Sequence, residues 1–206
     1  MEQREIRNFN FEVRAEQNEE HGHFLSGRPI VYEAAEDMGW YTEVIRAGAL
    51  DDTDLRDVRF LVNHNTDMIP LARSRNNNAN STMQMEVDEE GMAIRVDLDT
   101  ENNADARSLY SAVERGDITG MSFMFTVNGD SWEDLESDHP SRSINSIGKV
   151  FEVSAVTFPA YSTTSISARG LSEALESAKA SLESAKAHKR EIERQKQRIR
   201  ILTEVM

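Results

Sequence analysis

The segment Leu175-Glu-Ser-Ala-Lys-Ala-Ser181 is followed at once by Leu182-Glu-Ser-Ala-Lys-Ala-His188. A seven-residue repeat returns the same residue types to one side of an α-helix every two turns. Leu171, Leu175, Ala178, Leu182, Ala185, Ile192 and Ile199 fall on one such seam, which Lys189 and Lys196 interrupt. The chain from 171 to 206 is therefore expected to be a helical tail. Its apolar stripe must be covered, because a lone helix of this kind is marginal in water. A partner helix and the rest of this chain are both open as the cover. The stretch from Ser162 to Gly170, rich in Ser and Thr, reads as a linker.

The preceding 161 residues have a different texture and read as one domain with a strand-rich core. Phe9, Phe11, Val13 and Ala15 alternate with other residues, and Phe24 to Tyr32 is a second strand interrupted by Gly27 and Pro29. Tyr41 to Ile45 and Val58 to His64 are further strands. Thr82 to Val87 and Met92 to Leu98 flank Asp88-Glu-Glu-Gly91, a hairpin signal. One helix is expected from Ala104 to Arg115, with Ala104, Leu109, Ala112 and Val113 inward and Gly116 as its stop. Ile118 to Val127 returns to strand. Asn128 to about Pro140 reads as a polar loop, and Ser143 to Ile147 and Lys149 to Thr157 as a strand pair ending before Pro159.

Charge excludes some partners. The 206 residues carry a net charge of −14, although residues 170–206 hold 8 Lys/Arg against 6 Asp/Glu. An acidic body is unsuited to nucleic acid, which needs a basic surface. The basic stretch from Lys186 to Arg200 suits an acidic partner or the body of its own chain. No apolar run approaches the ~18 residues that span a membrane. Met1-Glu-Gln-Arg-Glu5 has no signal-peptide core. The chain contains no cysteine, which rules out thiol catalysis and suits a reducing compartment.

A hydrolytic nucleophile must then be Ser or Thr. Ser122 stands alone as a small hydroxyl in the apolar strand Gly120-Met-Ser-Phe-Met-Phe125. A glycine two residues upstream permits close approach of a substrate backbone. The other reading of Ser122 is a core-strand serine bonded to a backbone carbonyl. Serine needs a base, and histidine titrates near neutrality. Of the five histidines, His188 and His139 lie in polar surroundings and His21 and His23 in a charged loop. His64 ends an apolar strand, where a side chain can enter a cleft or serve structure only. His21-x-His23 with His64 or Asp67 is a conceivable zinc set, but the His-Glu-x-x-His pattern of helical zinc hydrolases is absent. The many carboxylates offer no marked pair.

Over residues 24–168 these segments resemble the serine-type prohead maturation proteases of tailed bacteriophages. The resemblance rests on three blocks in order. The first is Glu43-Val-Ile-Arg-Ala-Gly-Ala-Leu50 with Val62-Asn-His-Asn65 and Pro70-Leu-Ala-Arg73. The second is Arg115-Gly-Asp-Ile-Thr-Gly-Met-Ser-Phe-Met-Phe125. The third is Glu152-Val-Ser-Ala-Val-Thr-Phe-Pro-Ala-Tyr161 followed by Thr163-Thr164. The resemblance implies His64 as general base and Ser122 as nucleophile. It also implies an α+β fold like that of herpesvirus assembly proteases: a small closed antiparallel β-barrel with surrounding helices and, here, a long C-terminal helix. Those enzymes use a second histidine as third member. No histidine fits that place, but Glu152 does, flanked by apolar residues in Val150-Phe-Glu-Val-Ser154. A carboxylate there can orient His64 or face solvent; Asp67 and Asp117 are the next candidates. Met124 departs from the family, standing where a glycine is common.

The resemblance further implies a serine endopeptidase that works inside the assembling procapsid, in the host cytoplasm. It would cleave the scaffold segment of the major capsid protein and itself, with no metal or other cofactor. A second copy, as a homodimer, is a further partner left open. A non-catalytic scaffolding protein is the alternative, which the heptad tail suits and the strand-rich body does not. The tail is expected to dock the enzyme and to be dispensable for peptide-bond chemistry. Metal chelation should leave proteolysis of an unstructured substrate unchanged; loss of activity that zinc restores would favour the zinc reading instead.

Overall fold

The structure is a computed structural model that describes residues 4–9, 13–157 and 168–204. Its strands in chain order are β1 (Glu5–Phe9), β2 (Val13–Asn18), β3 (Gly22–Val31), β4 (Ala35–Asp37), β5 (Thr42–Ile45) and β6 (Asp57–Val62). They continue with β7 (Ala72–Arg75), β8 (Met83–Asp88), β9 (Gly91–Asp97), β10 (Gly120–Glu133) and β11 (Ser141–Val156). Helix α1 spans Ala104–Glu114 and α2 spans Ala168–Glu204. One sheet has the order β1-β10-β11-β5-β4, with β6 added to β11 and β7 to β6; the other has the order β2-β3-β9-β8.

The fold is mixed α+β, as expected, but the sheets are not closed into a barrel. Among the described residues they meet only at corners, through bonds such as Val13 N–H to Thr119 O (3.4 Å) and Thr82 N–H to Arg73 O (3.1 Å). Nor are all pairings antiparallel: β11 runs parallel to β5 at its start and to β6 at its end. The main core fills the space between the sheets. Leu25, Ile30, Val58, Phe60, Met83, Met92, Val96, Met121, Phe123, Phe125, Val150 and Val153 are buried there.

Several local expectations hold for identifiable reasons. In the β8–β9 hairpin the Asp88 carboxylate accepts the N–H groups of Glu90 and Gly91 at 2.8 and 3.1 Å. Asn103 caps α1 by accepting from Asp105 and Ala106, and Gly116 (φ 78°) ends it in the left-handed conformation that glycine adopts without strain. The inward face of α1 is Ala106, Leu109 and Val113, a spacing of three and four, while Ala104 is exposed.

Two expectations are corrected. The first part of the expected loop, Asn128 to Glu133, is strand, since β10 runs on to Glu133 and pairs Trp132 with Arg142, whereas residues 134–140 form the loop that leads into β11. The segments on either side of Gly148 do not pair with each other; they are one strand, β11. Gly148 is no turn residue but a point of close approach, where a Cβ would lie 2.4 Å from Asn128 Oδ1. Short β4 and β7 carried too few residues to show a period. Phe11, Pro159, Tyr161 and the linker positions 162–167 lie outside the described residues.

The tail is helical, and its repeat is covered by this chain rather than by a partner helix. Ala178 and Leu182 are buried against Tyr41 and Trp132, with Trp40, Leu135, Leu175 and Ala185 around them. The side chain of Leu171 is not among those described. Polar contacts reinforce the seat: Trp132 Nε1–H donates to Ser181 Oγ (3.0 Å), which donates to Asp130 (2.8 Å). Ser177 Oγ donates to Glu5 (2.8 Å). Beyond Lys189, which pairs with Glu136 at 3.7 Å, the helix is largely exposed.

Glu5 belongs to a buried charge network beneath α2. The Arg7 guanidinium binds Glu5 and, through two nitrogens, Glu43. Arg142 donates to Glu5 (2.9 Å), Glu43 (3.1 Å) and Asp130 (2.7 Å). Burial alone would raise the Glu5 carboxyl, but Arg7 and Arg142 hold it below its ordinary value. A carboxyl lowered by folding contributes stability above its ordinary range, and that stability is lost as pH falls through the folded value. Burial pushes the Tyr41 hydroxyl up to about 12.

Truncating Leu182 removes the apolar contact that seats α2. Leu182→Ala should cost about 2–4 kcal/mol, with the melting temperature falling about 2–4 °C for each kcal/mol. A melt equal to wild type would mean that the helix does not bear on the body's stability.

Candidate active site

His64 owes its position to a strained reversal at the end of β6. Asn63 and His64 both take left-handed backbone angles, φ 50° and 56°. Such a conformation costs roughly 1–2 kcal/mol for a residue with a Cβ, so it needs support from its surroundings. Asn63 supplies some of it: its N–H reaches Ala155 O (3.0 Å), its amide donates to Thr157 Oγ1 (3.0 Å), and its side-chain oxygen accepts Thr157 N–H (3.0 Å). The N–H of His64 itself donates to Ser154 Oγ at 3.2 Å. The chain thus turns back over β11, its parallel neighbour.

That turn brings the imidazole onto a carboxylate. His64 Nδ1 lies 2.5 Å from Glu152 Oε1, and the two side chains are 8% and 4% exposed. The other oxygen of Glu152 accepts Ser154 Oγ at 2.5 Å. Glu152 is therefore not a solvent-facing strand carboxylate; it is buried and bonded through both oxygens. With Nδ1–H given to a carboxylate, the ring is held in one tautomer and its second nitrogen is the basic one.

Ser122 stands on the neighbouring strand. In the β10–β11 ladder it is the Cα partner of Ser154, as Met124 is of Glu152. Residues opposite each other in a ladder share a face, with Cβ atoms about 4.5–5.5 Å apart. Ser122 is 0% exposed, and its hydroxyl donates to Arg7 O of β1 at 2.7 Å. That bond to a carbonyl is what a plain core-strand serine makes. The structure joins His64 to Glu152 and sets Ser122 on the adjoining strand, with its hydroxyl bonded to Arg7 rather than to His64.

The remaining candidates lie elsewhere. His23 Nδ1 contacts Thr100 Oγ1 (2.7 Å) and its ring packs on Tyr110, while His21 packs edge-on against Phe24. Among the described residues no group of three His, Asp or Glu side chains is gathered to hold a metal ion. His139 contacts Thr42 Oγ1 at 3.0 Å. Asp67 is exposed, and Asp117 is exposed and paired with Arg115 at 2.6 Å. Among the described residues no helix is long and apolar enough to cross a membrane. Sequence reasoning passed over Ser154 and Asn63. The available signal for Ser154 was its place two residues after Glu152, hence on the same face of a strand.

A family model described as caudovirus prohead serine protease matches residues 9–178. No curated protein matches. Among solved structures, the bacteriophage T4 capsid assembly protease, gp21, is similar at 14% identity over 74% of this chain and 98% of that chain. Its TM-score is 0.39.

A short bond from imidazole to carboxylate moves the Nδ1 proton far downfield in the NMR spectrum. His64 should show such a resonance in the wild type, and Glu152→Ala should lose it. A wild-type spectrum without it would contradict the pairing.

Proposed function

The chain belongs to the caudovirus prohead serine protease family, and from that premise we propose that Ser122, His64 and Glu152 are its catalytic triad. A prohead maturation protease acts in the assembling procapsid, on capsid and scaffold proteins. The observation that carries the site assignment is the 2.5 Å contact from His64 Nδ1 to Glu152, one strand away from Ser122. A carboxylate on the far nitrogen of an imidazole is the arrangement that makes histidine a base for a hydroxyl nucleophile.

In this reading the substrate is an extended segment of the capsid protein's scaffold region or of this chain. Ser122 Oγ attacks the scissile carbonyl carbon while the second nitrogen of His64 takes the hydroxyl proton. The imidazolium formed is stabilised by Glu152, which stays ionised. His64 then gives the proton to the leaving amine, and water repeats the sequence on the acyl-enzyme. The hydroxyl of Ser122 must first leave Arg7 O, which takes a rotation about its Cα–Cβ bond.

Residues 1–161 would form the protease unit, with self-cleavage in the 162–170 stretch. Helix α2 would be a docking element of which the proximal half is part of the protease's own packing. Its distal, basic half suits an acidic partner, whether capsid scaffold or a second copy of the enzyme.

The test is co-expression with the capsid protein, followed by intact-mass analysis. Ser122→Ala and His64→Ala should each abolish cleavage of the capsid protein and of the chain itself, since members of a triad act as a unit. Glu152→Gln should retain a small residual rate, because an amide keeps a hydrogen bond but not the charge. Undiminished processing by Ser122→Ala would sink the assignment.

A further inference from the structure

The hydroxyl of Ser154 makes two hydrogen bonds, and both bear on His64. Its hydroxyl donates to Glu152 Oε2 at 2.5 Å and accepts the backbone N–H of His64 at 3.2 Å. With Glu152 Oε1 on His64 Nδ1, the three residues close a ring: backbone of His64 to Ser154, Ser154 to Glu152, Glu152 to the imidazole. Ser154 is 0% exposed, so water does not replace either bond. It also pairs with Leu61 of β6 across the parallel ladder and with Ser122 across the antiparallel one. One side chain thus sits where the three strands that carry the site converge.

We propose that Ser154 is a positioning residue for the protease reaction, fixing the rotation of the Glu152 carboxylate and the height of His64 above β11. This rests on the assignment of His64 and Glu152 given above. A carboxylate held by one oxygen can rotate about its terminal bond, whose torsional well is broad. Ser154 removes that freedom, leaving Oε1 on Nδ1. The left-handed turn at Asn63 and His64 is a second source of drift, and the His64 N–H bond to Ser154 restrains it. Misplacement of a catalytic group by about 1 Å costs roughly 100-fold in rate.

Ser154 is not a second nucleophile in this arrangement. Its proton is committed to Glu152 and a lone pair to His64 N–H, and its neighbour Glu152 is also the partner of the base.

The test compares Ser154→Ala, Ser154→Thr and Ser122→Ala with wild type, by steady-state cleavage of a peptide substrate and by the downfield proton of His64. Ser154→Ala should lower kcat about 10–100-fold with KM within twofold, and should move or erase the downfield signal. Ser154→Thr keeps the hydroxyl and should restore the signal and most of kcat. Unchanged kcat and signal in Ser154→Ala would overturn the proposal, as would a kcat loss with the signal intact, since Ser154 would then act elsewhere. If Ser154→Ala does not fold, Ser154→Thr decides, and a folded Thr variant lacking the signal counts against the proposal. Ser122→Ala separates the two claims: a fully active Ser122→Ala would overturn the triad itself, whereas an inactive one beside a normal Ser154→Ala would overturn only the role of Ser154.

Discussion

Strand β11 holds the molecule's chemistry together through its hydrogen bonds on both edges. Along one edge it pairs with β10 over its whole length, which sets Ser122 opposite Ser154 and Met124 opposite Glu152. Along the other it meets β5 first and β6 last, both parallel. A slip of one residue in either ladder would send every side chain to the opposite face. Glu152 would then leave His64 and enter the apolar space that Val153 and Ala155 now fill. The buried core on one face of β11 therefore fixes the register that the polar face needs.

The same strand carries the second constraint. Arg142, near its start, joins Glu5, Glu43 and Asp130, and so ties β1, β5 and β10 to one another. Burying such charges is costly unless every one is paired and bonded. Here the pairing is mutual and α2 covers it, with Ser177 on Glu5 and Ser181 on Asp130. The β1 strand held in this way also offers Arg7 O to Ser122. The buried network and the proposed nucleophile thus share one strand, with Arg7 contributing its side chain to one and its carbonyl to the other.

Much of this was legible in the sequence, for reasons that vary by element. The heptad repeat gave the helix, but periodicity says only that a stripe must be covered; Tyr41 and Trp132, far away in the chain, became its cover. The β8–β9 hairpin and α1 carry local signals, a glycine turn and a capping asparagine, and both formed as expected. The polar stretch from Asn128 read as loop because β10 and β11 there face a charge network instead of apolar core. The closed barrel came from resemblance alone; among the described residues no strand of one sheet is laddered to a strand of the other, so two sheets remain. His64 and Glu152 were nominated separately by strand position and family pattern. Their contact depends on a left-handed turn at Asn63 and His64; both residue types tolerate that conformation, but a tolerance shared by most asparagines and histidines does not mark where a turn falls. Ser154 escaped notice because a serine in a strand is ordinary until its two partners are known.

The central claim is that Ser122 is the nucleophile and depends on His64. The most direct measurement is to treat the active enzyme with a fluorophosphonate and locate the adduct by peptide mass spectrometry. The account predicts a single adduct on the peptide containing Ser122, and none on the same peptide in His64→Ala. An adduct on Ser154 or another serine, or equal labelling of Ser122 without His64, would contradict it.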